Sequence, residues 1–124
     1  MRRVMTALRD PAGASALEFG VIAPILILLI IGMIEFGWVF QNQLAITHAA
    51  REGARLASVN DGANWDAGVV ESRAYPLTTG DGLGISLSED AESVTVSVTY
   101  PYDWQLLPIG SPLPLESTAV MRKE

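Results

Sequence analysis

Glu18 is the residue whose position in this chain most demands a chemical reason. It stands at the mouth of sixteen consecutive uncharged, mostly apolar residues, Phe19 to Ile34 (FGVIAPILILLIIGMI), and five positions after Gly13 in the string Gly13-Ala14-Ser15-Ala16-Leu17-Glu18-Phe19. A carboxylate at the edge of a membrane-grade apolar run is costly unless a cation or a set of donors pairs with it. Two readings are open at this point: a carboxylate solvated at the membrane edge, or one whose partner is still to be supplied.

Other chemistry-bearing residues form no convincing site. His48 and Glu52 stand at i,i+4 and make half a metal site, but His48 is the chain's only histidine and cysteine is absent. No second imidazole or thiolate completes it. Asp61, Asn64 and Asp66, and likewise Glu89, Asp90 and Glu92, gather oxygen ligands in exported loops without the spacing of an EF-hand. Tyr100, Tyr102 and Trp104 surround Pro101 and read as a strand end that closes a core rather than as a cation cage. There is no nucleophile with a neighbouring base, no phosphate loop and no pair of carboxylates in a recognisable cleft. The chain reads as no enzyme, with no catalytic residue, metal or cofactor.

The element that must position Glu18 is a helix. It is expected to start near Ala14 and to continue past Ile34, because Glu35-Phe36-Gly37-Trp38-Val39-Phe40 keeps a helical mixture of large apolar residues. Residues 14–40 span about 40 Å at 1.5 Å per residue, enough to cross a hydrocarbon core of about 30 Å. Glu18 and Glu35 are about 26 Å apart along such a helix, so each can bracket one edge of that core. Arg2, Arg3 and Arg9 precede the span and the next basic residue is Arg51, which places the N-terminus in the cytoplasm. The residues that follow the span resemble no signal-peptidase site: Glu35, Phe36, Trp38 and Phe40 stand where small residues are needed, so a retained anchor is expected.

The formal charge of −6 is concentrated beyond the membrane, where residues 36–124 hold five basic groups against eleven acidic ones. Such a balance argues against nucleic acid or anionic lipid as a partner of that part. With 124 residues, there is room for one span and one small domain, and the absence of cysteine excludes disulfide staples.

Residues 41–58 are expected to extend the helix out of the membrane, with a change from large to small side chains. Ala45, Ala49, Gly53 and Ala57 recur every four residues, with Ala50 and Ala54 beside them, and make a face that a backbone can approach closely. Gly53 costs about 1 kcal/mol against Ala in a helix, which favours close packing over propensity as its reason. Glu52 and Arg55 lie on another face and can pair at i,i+3. Asn60-Asp61-Gly62 ends the helix, and a short one runs from Asn64 or Trp65 to Ala74. Then come a brief strand with Leu83, Ile85 and Leu87, an acidic turn at Glu89–Glu92, and the clearest strand of the chain. In that strand Val94, Val96, Val98 and Tyr100 share one face and Ser93, Thr95, Ser97 and Thr99 the other, with Pro101 as its end. A weaker strand covers Leu113 to Met121, with Leu115, Ala119 and Met121 inward. So small a sheet cannot stand alone, and the small-residue face of the helix is the available cover. The fold class is therefore α+β: a long N-terminal transmembrane helix continuing into a small antiparallel β-sheet domain over residues 59–124.

The cluster Gly13-Ala14-Ser15-Ala16-Leu17-Glu18-Phe19, Pro24 within the Leu/Ile run, Ile34-Glu35-Phe36-Gly37, Ala49-Ala50-Arg51-Glu52-Gly53-Ala54-Arg55 and the closing Ala119-Val120-Met121-Arg122 resemble the TadE-like pseudopilins of the tight-adherence (Flp-type) pilus system. The specific part of the resemblance ends near Ser58; residues 60–112 are alike only in being short, acidic and β-rich. It implies a pilin-like protein of the bacterial inner membrane, with its C-terminal domain periplasmic or extracellular. It further implies that residues 1–13 are a leader removed by a prepilin peptidase, and that the partners are other pilins, pseudopilins and pilus assembly proteins. The alternative is a single-pass membrane protein whose exported domain binds a ligand or partner, with the leader left uncut.

The residues around Gly13 bear on that cut directly. Cleavage after Gly13 would create an α-amine on Ala14, one helical turn from Glu18, and the two charges would offset each other's desolvation in a bilayer or filament. Glycine before the bond suits a protease that binds extended backbone closely, and Pro11 is expected to keep the leader apart from the helix. Gly13, Ala14, Glu18 and Phe19 form the expected processing site.

Overall fold

The structure is a computed structural model that describes residues 11–59, 66–74, 82–107 and 109–123. One helix, α1 (Pro11–Val59), makes up 49 residues of it. Apolar residues dominate its first half on every side, and Leu17, Phe19, Ile22, Ile25, Leu28 and Met33 are all half or more exposed. A helix exposing that much hydrocarbon is not the core of a soluble protein; α1 is long and apolar enough to cross a membrane. Pro24 sits inside α1 without ending it.

The described part of α1 begins at Pro11 rather than near Ala14, so the residues on both sides of the Gly13–Ala14 bond are helical, while the expected separation of the leader by Pro11 involves residues outside the described ones. The expected helix stop at Asn60-Asp61-Gly62 and the stop at Tyr75-Pro76 lie outside the described residues. The second helix, α2 (Ala67–Ala74), begins on Asp66, whose Oδ1 accepts from Gly68 N at 2.8 Å and whose carbonyl accepts from Val69 N at 3.1 Å. That is the pairing an aspartate cap supplies to a helix start.

Three strands follow, β1 (Gly84–Glu89), β2 (Ser93–Tyr102) and β3 (Leu113–Arg122), paired antiparallel in the order β1-β2-β3. The acidic turn joins β1 to β2, with Asp90 N donating to Ser93 O at 2.8 Å. Val94, Val96 and Val98 are fully buried, with Tyr100 and Tyr102 beside them, while Ser97 and Thr118 share a hydrogen bond of 2.9 Å on the outer face. Burying each valine contributes on the order of 1.5–3 kcal/mol. Pro101 does not end β2 as expected: the strand continues to Tyr102. β1 pairs only as far as Thr99, so Pro101 faces β3 alone, opposite Pro114, where its missing N–H breaks no ladder on the β1 side.

The inner face of the sheet lies on the second half of α1. Ile46, Ala49, Ala50, Ala54 and Ala57 form one core with Val70 of α2, the β2 valines and Leu115 of β3. Gln43 Nε2 donates to Glu116 O at 2.9 Å and ties α1 to the backbone of β3. The architecture is α+β: a long apolar N-terminal helix followed by a three-stranded antiparallel sheet that packs on its C-terminal half.

Candidate processing site and helix-packing face

At the N-terminal end, Gly13, Ala14, Glu18 and Phe19 all lie within the first turns of α1. Ala14, Glu18 and Phe19 are exposed and Gly13 half-exposed. Helical side chains tilt toward the helix N-terminus, so Glu18 leans toward residue 14, one turn or about 6 Å down the axis. A free amine at Ala14 would therefore sit within reach of this carboxylate or of one on an adjacent helix.

The small-residue face is occupied by the chain's own domain. Ala45, Ala49 and Ala57 are no more than 1% exposed, and Gly53 is buried beside them. A Cβ on Gly53 would meet Val70 Cγ2 at 2.8 Å and Val96 Cγ1 at 3.2 Å. Both are branched side chains held in the core, so glycine here answers a close approach. Glu52 and Arg55 lie outside this face and form a bidentate pair, Nε to Oε2 at 3.0 Å and Nη2 to Oε1 at 2.9 Å.

Packing this tight yields a testable outcome. Leucine at Ala49 or Gly53 forces several heavy atoms into filled space, and overpacking costs about 1–3 kcal/mol. Leucine at Arg51 or Arg55 enters solvent. Protease resistance of the purified protein should fall sharply for the first two variants and stay near wild type for the others.

The residue that sequence reasoning undervalued is Glu35. It is 1% exposed, and its carboxylate gathers three donors from a single segment some seventy residues away. Tyr102 Oη and Gln105 N donate to Oε1 at 2.9 and 2.8 Å, and Leu106 N donates to Oε2 at 2.9 Å. Every contact comes from a donor, which is the arrangement an acceptor-only carboxylate requires. Burial and the bond to Glu35 push the Tyr102 phenol up to about 12. Trp104 packs edge-on against Tyr102, with ring centroids 6.0 Å apart at 85°, so the aromatic group closes the core at this end.

The signal for Glu35 was present in the sequence. Counting back from Gly53 by alternating steps of four and three gives Ala49, Ile46, Asn42, Val39 and Glu35, one continuous helix face. Its partners could not be read in the same way, since two of the three donors are backbone amides of a loop.

His48 is exposed, and among the described residues no three His, Cys, Asp or Glu side chains come together in a way that could hold a metal ion. Asp61 and Asn64, from one of the two oxygen-rich clusters, lie outside the described residues.

No curated protein and no solved structure matches the chain significantly. A family model does: residues 13–55 match that of the TadE-like protein. The matched stretch begins at Gly13, takes in Glu18, Glu35, Ala45, Ala49 and Gly53, and ends at Arg55, so about a third of the chain is similar to the TadE-like family.

Proposed function

We propose that this protein is a minor pilin or pseudopilin needed to assemble a tight-adherence pilus, processed by a prepilin peptidase after Gly13. The observation that carries the reading is the start of the family match at Gly13, with Glu18 five residues on. The protein is anchored by α1 in the bacterial inner membrane. Its arginine-bearing N-terminus faces the cytoplasm and its acidic domain faces outward. It acts by packing and carries no catalytic machinery; its partners are the peptidase and other pilus subunits.

The structure bears on how the bond would be reached. Gly13–Ala14 lies in the first turns of α1, so a protease must unwind about one turn to bind the backbone extended. That turn is inexpensive to open, because Pro11 donates no amide and glycine is a poor helix former. After the cut, Ala14 becomes the first residue of a helix whose N-terminal dipole and new amine both favour a nearby carboxylate. Glu18 supplies it, within the subunit or to its neighbour in an assembly.

Replacing Gly13 with Trp tests the reading. The variant should insert in the membrane and keep residues 1–13, seen as a band of higher mass on immunoblots of membrane fractions. Normal trimming of the variant would remove the glycine from any role in recognition.

A further inference from the structure

We propose that the connection between β2 and β3 is a membrane foot: the Leu106 and Ile109 side chains insert into the outer interface of the bilayer that α1 crosses, and Glu35 holds the connection at that depth. The proposal rests on the reading of α1 as a membrane anchor.

Depth is the first argument. Glu35 directly follows Ile34, the last residue of the uncharged run, and it accepts from Gln105 N at 2.8 Å and Leu106 N at 2.9 Å. The connection is thus fastened within one side-chain length of the end of the apolar run. Residues 14–34 alone measure about 31 Å along the helix, the thickness of a hydrocarbon core. Within the span of 14–40 expected from sequence, the domain buries Glu35 and packs on Val39, while Phe36 and Phe40 stay exposed. A core ending at Ile34 places Glu35, Gln105 and Leu106 at the lipid–water boundary.

The character of the connection is the second argument. Leu106 is 46% and Ile109 54% exposed, two large aliphatic side chains of one connection left uncovered while β2 buries Val94, Val96 and Val98 completely. Much of the local polar backbone is satisfied internally: Ile109 N donates to Leu107 O at 2.7 Å, Trp104 Nε1 donates to Ser111 O at 3.2 Å, and Gly110 turns the chain at φ 54°. A segment entering the interface needs this, because lipid offers few hydrogen-bond partners. Trp38 lies one helical turn beyond Glu35 and Trp104 packs on Tyr102, a donor to Glu35, and tryptophan favours membrane surfaces. Between Arg73 and Arg122 there is no basic residue, so the contact is apolar and does not depend on anionic lipid.

The absence of cysteine permits a direct test on the full chain. Single cysteines at Leu106, Ile109, Leu28 and Ser88 would carry an environment-sensitive fluorophore in phosphatidylcholine vesicles containing lipids with a quencher near the headgroup or deep in the acyl chain. Leu106 and Ile109 are exposed enough for replacement without opening the core. Ser88 pairs with Thr95, about 23 Å along β2 from Tyr102, and serves as the aqueous control. Labels at Leu106 and Ile109 should be quenched at least twofold by the shallow quencher, Leu28 by the deep one and Ser88 by neither. Quenching at Leu28 with Leu106 and Ile109 behaving like Ser88 overturns the foot and leaves the anchor intact. No quenching at Leu28 overturns both. Shielding of Leu106 and Ile109 that needs the native host's membranes, and is lost in pure lipid, assigns these side chains to a protein partner and overturns the lipid foot.

Discussion

Glu18→Gln and Glu18→Ala are expected to lose residues 1–13 as the wild type does and yet to leave cells without pili. In the proposed function the carboxylate acts after the cut, as the counter-ion of the amine that cleavage would create on Ala14. Neither variant alters Gly13, and Glu18 is exposed on α1, so both should insert and present the bond normally. Removing the charge leaves an ammonium group to be buried unpaired in bilayer or filament, a loss of several kcal/mol per subunit contact. Pilus counts by electron microscopy, alongside intact mass of the membrane-bound protein, read the two steps separately. Wild-type piliation by either variant would return Glu18 to a solvated carboxylate at the membrane edge.

Glu35→Ala carries the largest expected cost to the folded domain. It removes the acceptor of three charge-assisted hydrogen bonds, each contributing about 1.5–3 kcal/mol, and leaves the Tyr102 phenol buried without a partner, whereas water can reach the part-buried amides of Gln105 and Leu106. Partial relaxation of the connection should bring the total to about 3–5 kcal/mol, a large share of the 5–15 kcal/mol that holds a typical domain. For a domain of this size that is a drop in melting temperature of 10 °C or more, on the order of 4–8 °C per kcal/mol. Tyr102→Phe removes only the phenol donor and should cost about 1.5–3 kcal/mol, as for other bonds to charged groups. Thermal unfolding in detergent micelles, followed by near-ultraviolet circular dichroism of Tyr102 and Trp104, measures both. Equal melting of wild type and Glu35→Ala would mean that the carboxylate does not hold the domain to the helix.

Much of this arrangement was legible in the sequence because it rests on periodicity. The alternation through β2 assigned its buried face residue by residue, and the four-residue recurrence of Ala45, Ala49, Gly53 and Ala57 located where a sheet lies on α1. One boundary placed wrongly involves proline: Pro101 was expected to end β2 and instead sits where the sheet has narrowed to two strands. Its missing amide costs nothing because no partner was waiting for it, a fact set by neighbours rather than by local sequence. Glu35 escaped notice for a related reason. Its helix face could be counted, but its donors are loop amides brought close only by the finished fold.

The central claim is that this is a processed pilin-like subunit, and the mass of the mature protein in its native host tests it most directly. Intact-mass analysis of protein purified from membranes of piliated cells should show loss of residues 1–13, with Ala14 as the new N-terminus. A full-length chain that still carries Met1 to Gly13 in those membranes would contradict the account and leave α1 as an uncut anchor.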